Sequence, residues 1–370
     1  MKFNVSSGEL MKGLSAVAGA VPTKATLPIL ETVLFESENG KLKLSATDLE
    51  ISIVEFVQAE IESEGSVAIP AKRLLEVLRQ LPDIPVFFEA DDQIVKFKTD
   101  RGTYKLNSES SDDFPEIPTL EDGQSIKTST ELLKSAIDKT SFAVSHDDLR
   151  PAMMGVYFQI GTENSKIVAT DGHRLVRLTH NDLVAAVPVN FIVPEKALSL
   201  ALKTLDGKEC DMTVSNEHLR IKSGNTLLVT RLINEQYPNY DTVIPRDNDK
   251  QMKVSKDQLL ATVKRVSIFS STTTRQIRLQ LHPDEVVIAA EDIDMSSEAK
   301  ESIACEYNSD PMEIGFNARY LGDVLNNIDD PEVLFEFSTP NRAGILKPSA
   351  QDENVEMLML VMPVMLNTYA

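Results

Sequence analysis

Residues 167–178 read Ile-Val-Ala-Thr-Asp-Gly-His-Arg-Leu-Val-Arg-Leu. An apolar run breaks at Asp171-Gly172, His173 and Arg174 stand at the bend, and an alternating run resumes. Asp-Gly between two strand-like runs is the strongest short-range hairpin signal, because few residues tolerate the backbone such a turn needs. Weaker versions of the stretch flank it: Ala46-Thr47-Asp48 before Ala169-Thr170-Asp171, and Ala290-Glu291-Asp292 after it, at offsets of 123 and 121 residues. Asp113-Phe114-Pro115 is echoed by Gln236-Tyr237-Pro238. Ile69-Pro70-Ala71-Lys72 is echoed by Val193-Pro194-Glu195-Lys196 and, more distantly, by Gly315-Phe316-Asn317-Ala318. Independent landmarks at one spacing mean three copies of a unit of about 120 residues, the size of a domain and too long for a solenoid repeat.

The copies share an internal order. Each opens on a short strand, at residues 2–5, 124–128 and 251–254. A capped helix follows, with the S/T-x-x-E/Q box in Ser6 and Glu9, Thr128 and Glu131, and Ser255 and Gln258, a pattern that pairs a helix's first free N–H groups. Leu10, Leu14 and Val17 give that helix its apolar face, as do Leu133, Ala136 and Ile137, and then Leu259, Val263 and Val266. Period-2 strands come next, at residues 41–45 and 50–57, 166–170 and 174–179, and 285–290. A second amphipathic helix starts near Pro70, Pro194 and Asn317, since Pro suits a first turn and Asn a cap. Its apolar residues are Leu74, Leu75 and Leu78; Leu198, Leu202 and Leu205; and Tyr320, Leu321, Val324 and Leu325. More strands close each copy, such as 86–89 with 94–99. The expected fold is α+β, three tandem copies of two helices packed on antiparallel sheet. Polar stretches after Pro118 and Pro245 set domains at 1–121, 122–247 and 248–370.

A chain of 370 residues is too long for one ordinary core, and 42% hydrophobic with 25% charged residues is a globular composition. No apolar run nears the ~18 residues of a membrane span, and the start Met1-Lys2-Phe3-Asn4-Val5 lacks a secretory signal's apolar stretch. Cys210 and Cys305 stand far apart without metal-type spacing, which fits a reducing cytoplasm. A net charge of −20 disfavours non-specific nucleic-acid binding by the molecule as a whole. Position matters more than the total. Lys12, Lys24, Lys134, Lys139, Arg150, Lys256, Lys264 and Arg265 lie on or beside the first helices, and Lys72, Arg73, Arg79, Lys196, Lys203 and Arg319 on the second. Acidic residues gather elsewhere, at Glu36, Glu38, Glu60, Glu62, Glu64, Asp91, Asp92, Glu109, Asp112, Asp113 and Glu298. Solvated helix faces are commonly lysine-rich; the sharper reading is a basic helix surface that tracks phosphates without reading bases.

The three tandem copies, together with Thr26-Leu27-Pro28-Ile29-Leu30, Ala46-Thr47-Asp48-Leu49-Glu50, Ala169-Thr170-Asp171-Gly172-His173-Arg174-Leu175 and Val361-Met362-Pro363, resemble the bacterial β sliding clamp family, the DNA polymerase III beta subunits, over essentially the whole chain and in order. The resemblance implies a cytoplasmic, non-enzymatic processivity factor without cofactor or metal. It implies a head-to-tail homodimer whose six domains close a ring around double-stranded DNA, twelve helices lining the hole. Retention is then topological and independent of sequence, and a basic lining suffices. Matching positions put Lys24, Lys72, Arg73, Arg150, Lys196 and Lys203 toward DNA. Tyr104 and Leu106 would meet Ile268 and Phe269 of the partner subunit, a heterologous contact that closes after two copies. The family's peptide pocket, which takes short segments of the polymerase III alpha subunit, the clamp-loader delta subunit and other proteins with a clamp-binding motif, maps to Met153, Thr170, Gly172, His173, Arg174, Leu175, Pro238, Val243, Leu360, Val361, Met362, Pro363, Val364, Met365 and Leu366. Met and aliphatic side chains make an adaptable cleft for Leu- and Phe-bearing peptides, with His173 and Arg174 as polar anchors at the rim.

The chain departs from the family pattern at Met365 and Thr242, where arginines occur in relatives, at Pro151 and Ala152, which replace aromatic residues, and in its tail Asn367-Thr368-Tyr369-Ala370. Catalysis by His173 with Asp171 and Arg174 is the rival reading. The other copies hold Leu49-Glu50 and Ile293-Asp294 there, so no chemistry repeats. Asp292-x-Asp294 imitates a two-metal carboxylate pair, but a solvated strand edge explains it without a third carboxylate. A structural assembly protein without DNA fits the repeats and leaves the basic helices unexplained.

Overall fold

A computed structural model describes residues 1–91, 93–120 and 122–366. Asp92, Glu121 at the first expected boundary and the tail from Asn367 to Ala370 lie outside the described residues. Among those described are six α-helices, α1 (Ser7–Val17), α2 (Ala71–Leu78), α3 (Thr130–Ser141), α4 (Glu195–Thr204), α5 (Lys256–Val266) and α6 (Ala318–Asn326). Ser6 Oγ accepts from the Glu9 N–H at 3.3 Å, and Ser255 Oγ from the Gln258 N–H at 3.5 Å. Asn317 Oδ1 accepts from the N–H groups of Arg319 and Tyr320. In α3 the cap is one residue later than the motif suggests: Ser129 Oγ takes the Leu132 N–H at 3.0 Å, while Thr128 is still strand. Two hydroxyl residues in succession both fit the pattern, and the strand's length decides between them. Pro70 and Pro194 stand at the cap position, ending strands Ser66–Pro70 and Val189–Pro194 and stopping the ladder where no further donor is available.

The apolar faces are buried nearly as expected. Leu10, Leu14, Val17, Leu259, Val263 and Val266 are at most 1% exposed, each burial contributing about 1.5–3 kcal/mol. In α4 the inward residues are Leu198, Leu200 and Ala201, whereas Leu202 is half-buried. The reason is a second neighbour: α1 touches both α4 and α2, and Leu200 lies against Gly19 just after α1, so α4 is covered on two sides.

The strands do not keep to the three copies. The chain forms two compact units, Met1–Ile137 with Val193–Ile233, and Asp138–Ile192 with Asn234–Ala370. In the first, a five-stranded sheet ends on strand Thr103–Asn107, and an eight-stranded sheet joins strand Ile51–Val57 to strand Thr226–Arg231, Glu55 opposite Thr226. In the second, strand Arg174–His180 pairs with Val355–Val361, Arg174 opposite Val361, inside a sheet of thirteen strands. Strands of the middle copy thus complete sheets begun by the first and by the third. Among the described residues these seams and the hairpins beside them are antiparallel, and the fold is α+β with helices on sheet.

Gly13 in α1 faces strand Ile51–Val57, and a Cβ there would stand 2.4 Å from Val57 Cγ2. Valine is stiff at χ1, so Gly13→Ala should lose more to overpacking than helix propensity returns, a net destabilisation of about 1 kcal/mol read as a lower Tm; a raised Tm would contradict this packing. His180 is buried with its Nδ1 unpartnered, and burial holds its pKa below 6.5 against the pull of Asp182 and Asp352. The unfolded chain therefore takes the proton first, and stability present above pH 6.5 falls as pH drops below it. Urea midpoints at pH 7 and 5.5 should differ less for His180→Asn than for the native chain.

Candidate functional site

The bend after strand Ser165–Thr170 is built by two side chains. Asp171 Oδ1 accepts from the N–H groups of His173 (2.9 Å) and Arg174 (3.0 Å). Thr170 Oγ1 accepts from the Gly172 N–H at 3.1 Å and donates to the Arg174 carbonyl at 2.7 Å. The first copy repeats this bond for bond: Asp48 Oδ1 takes the N–H groups of Glu50 and Ile51, and Thr47 Oγ1 links Leu49 to Ile51. In the third copy Asp292 Oδ1 takes those of Asp294 and Met295. The recurring aspartate is thus a turn former, which accounts for Asp292-x-Asp294 as well. The position after it needs positive φ: Gly172 has +86° and Leu49 has +77°. In the middle copy glycine lets Arg150 come close: a Cβ would stand 2.9 Å from its Nη1.

Arg174 is 7% exposed, so the structure places it behind the surface. Its Nε donates to Asp171 at 3.2 Å, Nη2 to the Phe142 carbonyl at 2.8 Å, and Nη1 to Asp323 of α6. The guanidinium lies over the rings of Phe142 and Tyr320, a setting that suits its planar fork better than a lysine. Tyr320 in turn stacks on the exposed His173, 5.3 Å between ring centres. The sequence places Tyr320 on the apolar face of α6 and gives Asp323 no role, whereas the structure leaves Tyr320 half-buried; the signal for both is their i, i+3 spacing on α6.

The His173 carbonyl accepts the Met362 N–H at 2.8 Å, which hangs the last residues on the bend. Met362 and Met365 are exposed, and Pro363, Val364 and Leu366 half-buried. Pro363 and Val364 pair with Phe316 and Gly315, and Gly315 lacks the Cβ that would strike Leu366 and the Val364 carbonyl. Val243 is exposed and Met153 and Pro238 half-buried. Tyr237 stacks on Tyr157 at 4.6 Å, and burial raises its phenol pKa. Thr170, Leu175, Leu360 and Val361 are buried.

Arg150 belongs to the same locality, donating to the Asp171 carbonyl at 3.3 Å. Lys24, Lys72, Arg73, Lys196 and Lys203 are exposed; Lys196 pairs with Asp48. Ile268 and Phe269 are exposed, and Tyr104 and Leu106 half-buried on an end strand. A cleft of about 580 Å³ lies apart from the bend, lined by Arg278, Lys300, Glu291 and Glu298 among others.

Family models of the DNA polymerase III beta subunit match the chain in three pieces: the N-terminal domain over residues 1–118, the central domain over 127–239 and the C-terminal domain over 241–364. The beta sliding clamp of Caulobacter vibrioides is 32% identical over 350 residues, 92% of this chain and 94% of its own. That of Pseudomonas aeruginosa is 32% identical over 367 residues, 97% and 99%. A crystal structure of the DNA polymerase III subunit beta from Pseudomonas aeruginosa matches with a TM-score of 0.94 at 30% identity, over 99% of this chain and 100% of that one.

Arg174→Ala should cost about 3–5 kcal/mol, because it strands acceptors that now share one buried cation. His173→Ala, at an exposed ring, should cost under about 1 kcal/mol. Equal losses in denaturant unfolding would refute the bracing role.

Proposed function

The chain belongs to the DNA polymerase III beta subunit family, and on that premise we propose that it is a sliding clamp, a non-enzymatic cytoplasmic ring that encircles duplex DNA and tethers the replicative polymerase. The observation that carries the DNA reading is charge placement. A chain of net charge −20 still presents Lys24, Lys72, Arg73, Lys196 and Lys203 at the surface, four of them on α2 and α4. Basic helices in an acidic molecule suit topological retention, where the lining need only tolerate phosphate.

Closure by two copies is supported by two open strand edges. Strand Thr103–Asn107 ends its sheet among Lys96, Lys98, Arg101 and Lys105, all exposed. Among the described residues, no strand pairs with the outer edge of residues 297–304 in strand Ser297–Tyr307, which carries Glu298, Lys300 and Glu301, the last ion-paired with Arg265. Two open edges in one chain, one beside Tyr104 and Leu106 and the other near Ile268 and Phe269, suit a head-to-tail dimer. The domains are those at 1–121, 122–247 and 248–370, six to a ring.

The surface around Met362, Val243 and His173 is then the pocket for polymerase alpha, clamp-loader delta and other motif-bearing peptides. Its methionines suit exchangeable partners. Clamp loaded on closed circular DNA should survive high salt and run off once the circle is cut; equal salt sensitivity on circle and line would mean simple charge binding. Met362→Ala with Pro363→Ala should abolish binding of a polymerase-derived peptide and leave the dimer intact; unchanged affinity would show the pocket misplaced.

A further inference from the structure

We propose that Asp323 is a positioning residue for the peptide pocket, acting through Arg174 on the bend from which Met362 hangs. The inference rests on the pocket reading above and adds a residue that touches no peptide. Arg174 is held by three acceptors on three segments: Asp171 in the bend, the Phe142 carbonyl after α3, and Asp323 in α6. Asp171 also builds the turn itself, and a carbonyl cannot be removed by substitution. Asp323 is the side chain that reaches in from outside the bend.

Its place on α6 gives it leverage. Tyr320, one turn earlier, lies under both the Arg174 guanidinium and the His173 ring. Asp323 therefore fixes the cation against the same ring that orients the imidazole. The His173 carbonyl receives the Met362 N–H at 2.8 Å, so a bend that swings carries the apolar wall with it. Lys139 ties α3 to the segment after α6, through Asp329 at 2.7 Å and the Asn327 carbonyl at 3.3 Å, so α6 is a firm base. A site held loosely by its support loses affinity even when every contact residue is present.

The test measures affinity of the full chain for a fluorescent Leu- and Phe-bearing peptide from the cognate polymerase. Asp323→Asn, nearly isosteric, should weaken binding by about tenfold, mainly through faster dissociation, and Asp323→Glu should recover most of it. In a His173→Ala background the Asp323→Asn loss should shrink, because both act on one bend. A full additive loss, or no recovery by Asp323→Glu, would overturn the positioning role. If Asp323→Asn binds normally while Met362→Ala with Pro363→Ala abolishes binding, the proposal fails and the pocket stands. If neither changes affinity, the pocket reading itself fails. Should Asp323→Asn not fold, Asp323→Ser is read by the same outcomes.

Discussion

An unpaired strand edge is a row of polar groups that must find a partner or be defended, and that constraint organises this chain. Strand Ile51–Val57 meets Thr226–Arg231, and strand Arg174–His180 meets Val355–Val361. In each case the edge left by one copy is completed by the next, which fuses repeats into larger sheets. The pairing carries side chains with it. Glu55, buried with a raised carboxyl pKa, accepts the Thr226 hydroxyl at the first seam. At the second seam Arg174 enters the strand directly after the bend and turns inward. The surface proposed for peptides is a product of sheet completion, because Met362 reaches His173 by continuing the strand that closed the edge.

Much of this was legible because it is local. Caps at Ser6, Ser255 and Asn317 and the buried faces of α1, α5 and α6 follow from spacing within a dozen residues. Errors arose where neighbours compete or a distant partner decides. Thr128 and Ser129 both offer hydroxyls, and Leu202 yielded to Leu200 because α4 is covered on two sides. The seams were not legible at all: nothing in an alternating strand says which of many similar strands lies beside it. Arg174 shows the same limit at one side chain. An arginine in a turn reads as solvent-facing, and its acceptors at Phe142 and Asp323 lie 32 and 149 residues away. The three ATD-type bends could be found from sequence, but that the aspartate serves the backbone in all three needed the geometry.

The bends also show how a repeat acquires one distinctive site. The same hydrogen bonds hold Leu49 and Gly172 at positive φ, although that conformation costs a branched side chain about 1–2 kcal/mol. The first copy bears this cost and keeps a side chain at the spot. The middle copy has glycine, with Arg150 Nη1 2.9 Å from where a Cβ would be, and the neighbouring His173 stacks on Tyr320. The scaffold is common property; what differs is which atoms it leaves uncovered.

The pairing of residues 174–180 with 355–361 has a temporal side. On a ribosome adding roughly 5–20 residues per second, the middle strand emerges some ten to forty seconds before its partner exists. Until then a run of Leu175, Val176 and Leu178, all buried in the finished fold, borders an open ladder, the form most prone to join the wrong chain. A seam that makes the finished sheet continuous thus makes the nascent one wait, and the bend of Thr170, Asp171 and Arg174, whose turn bonds are local, is what holds the strand in register meanwhile.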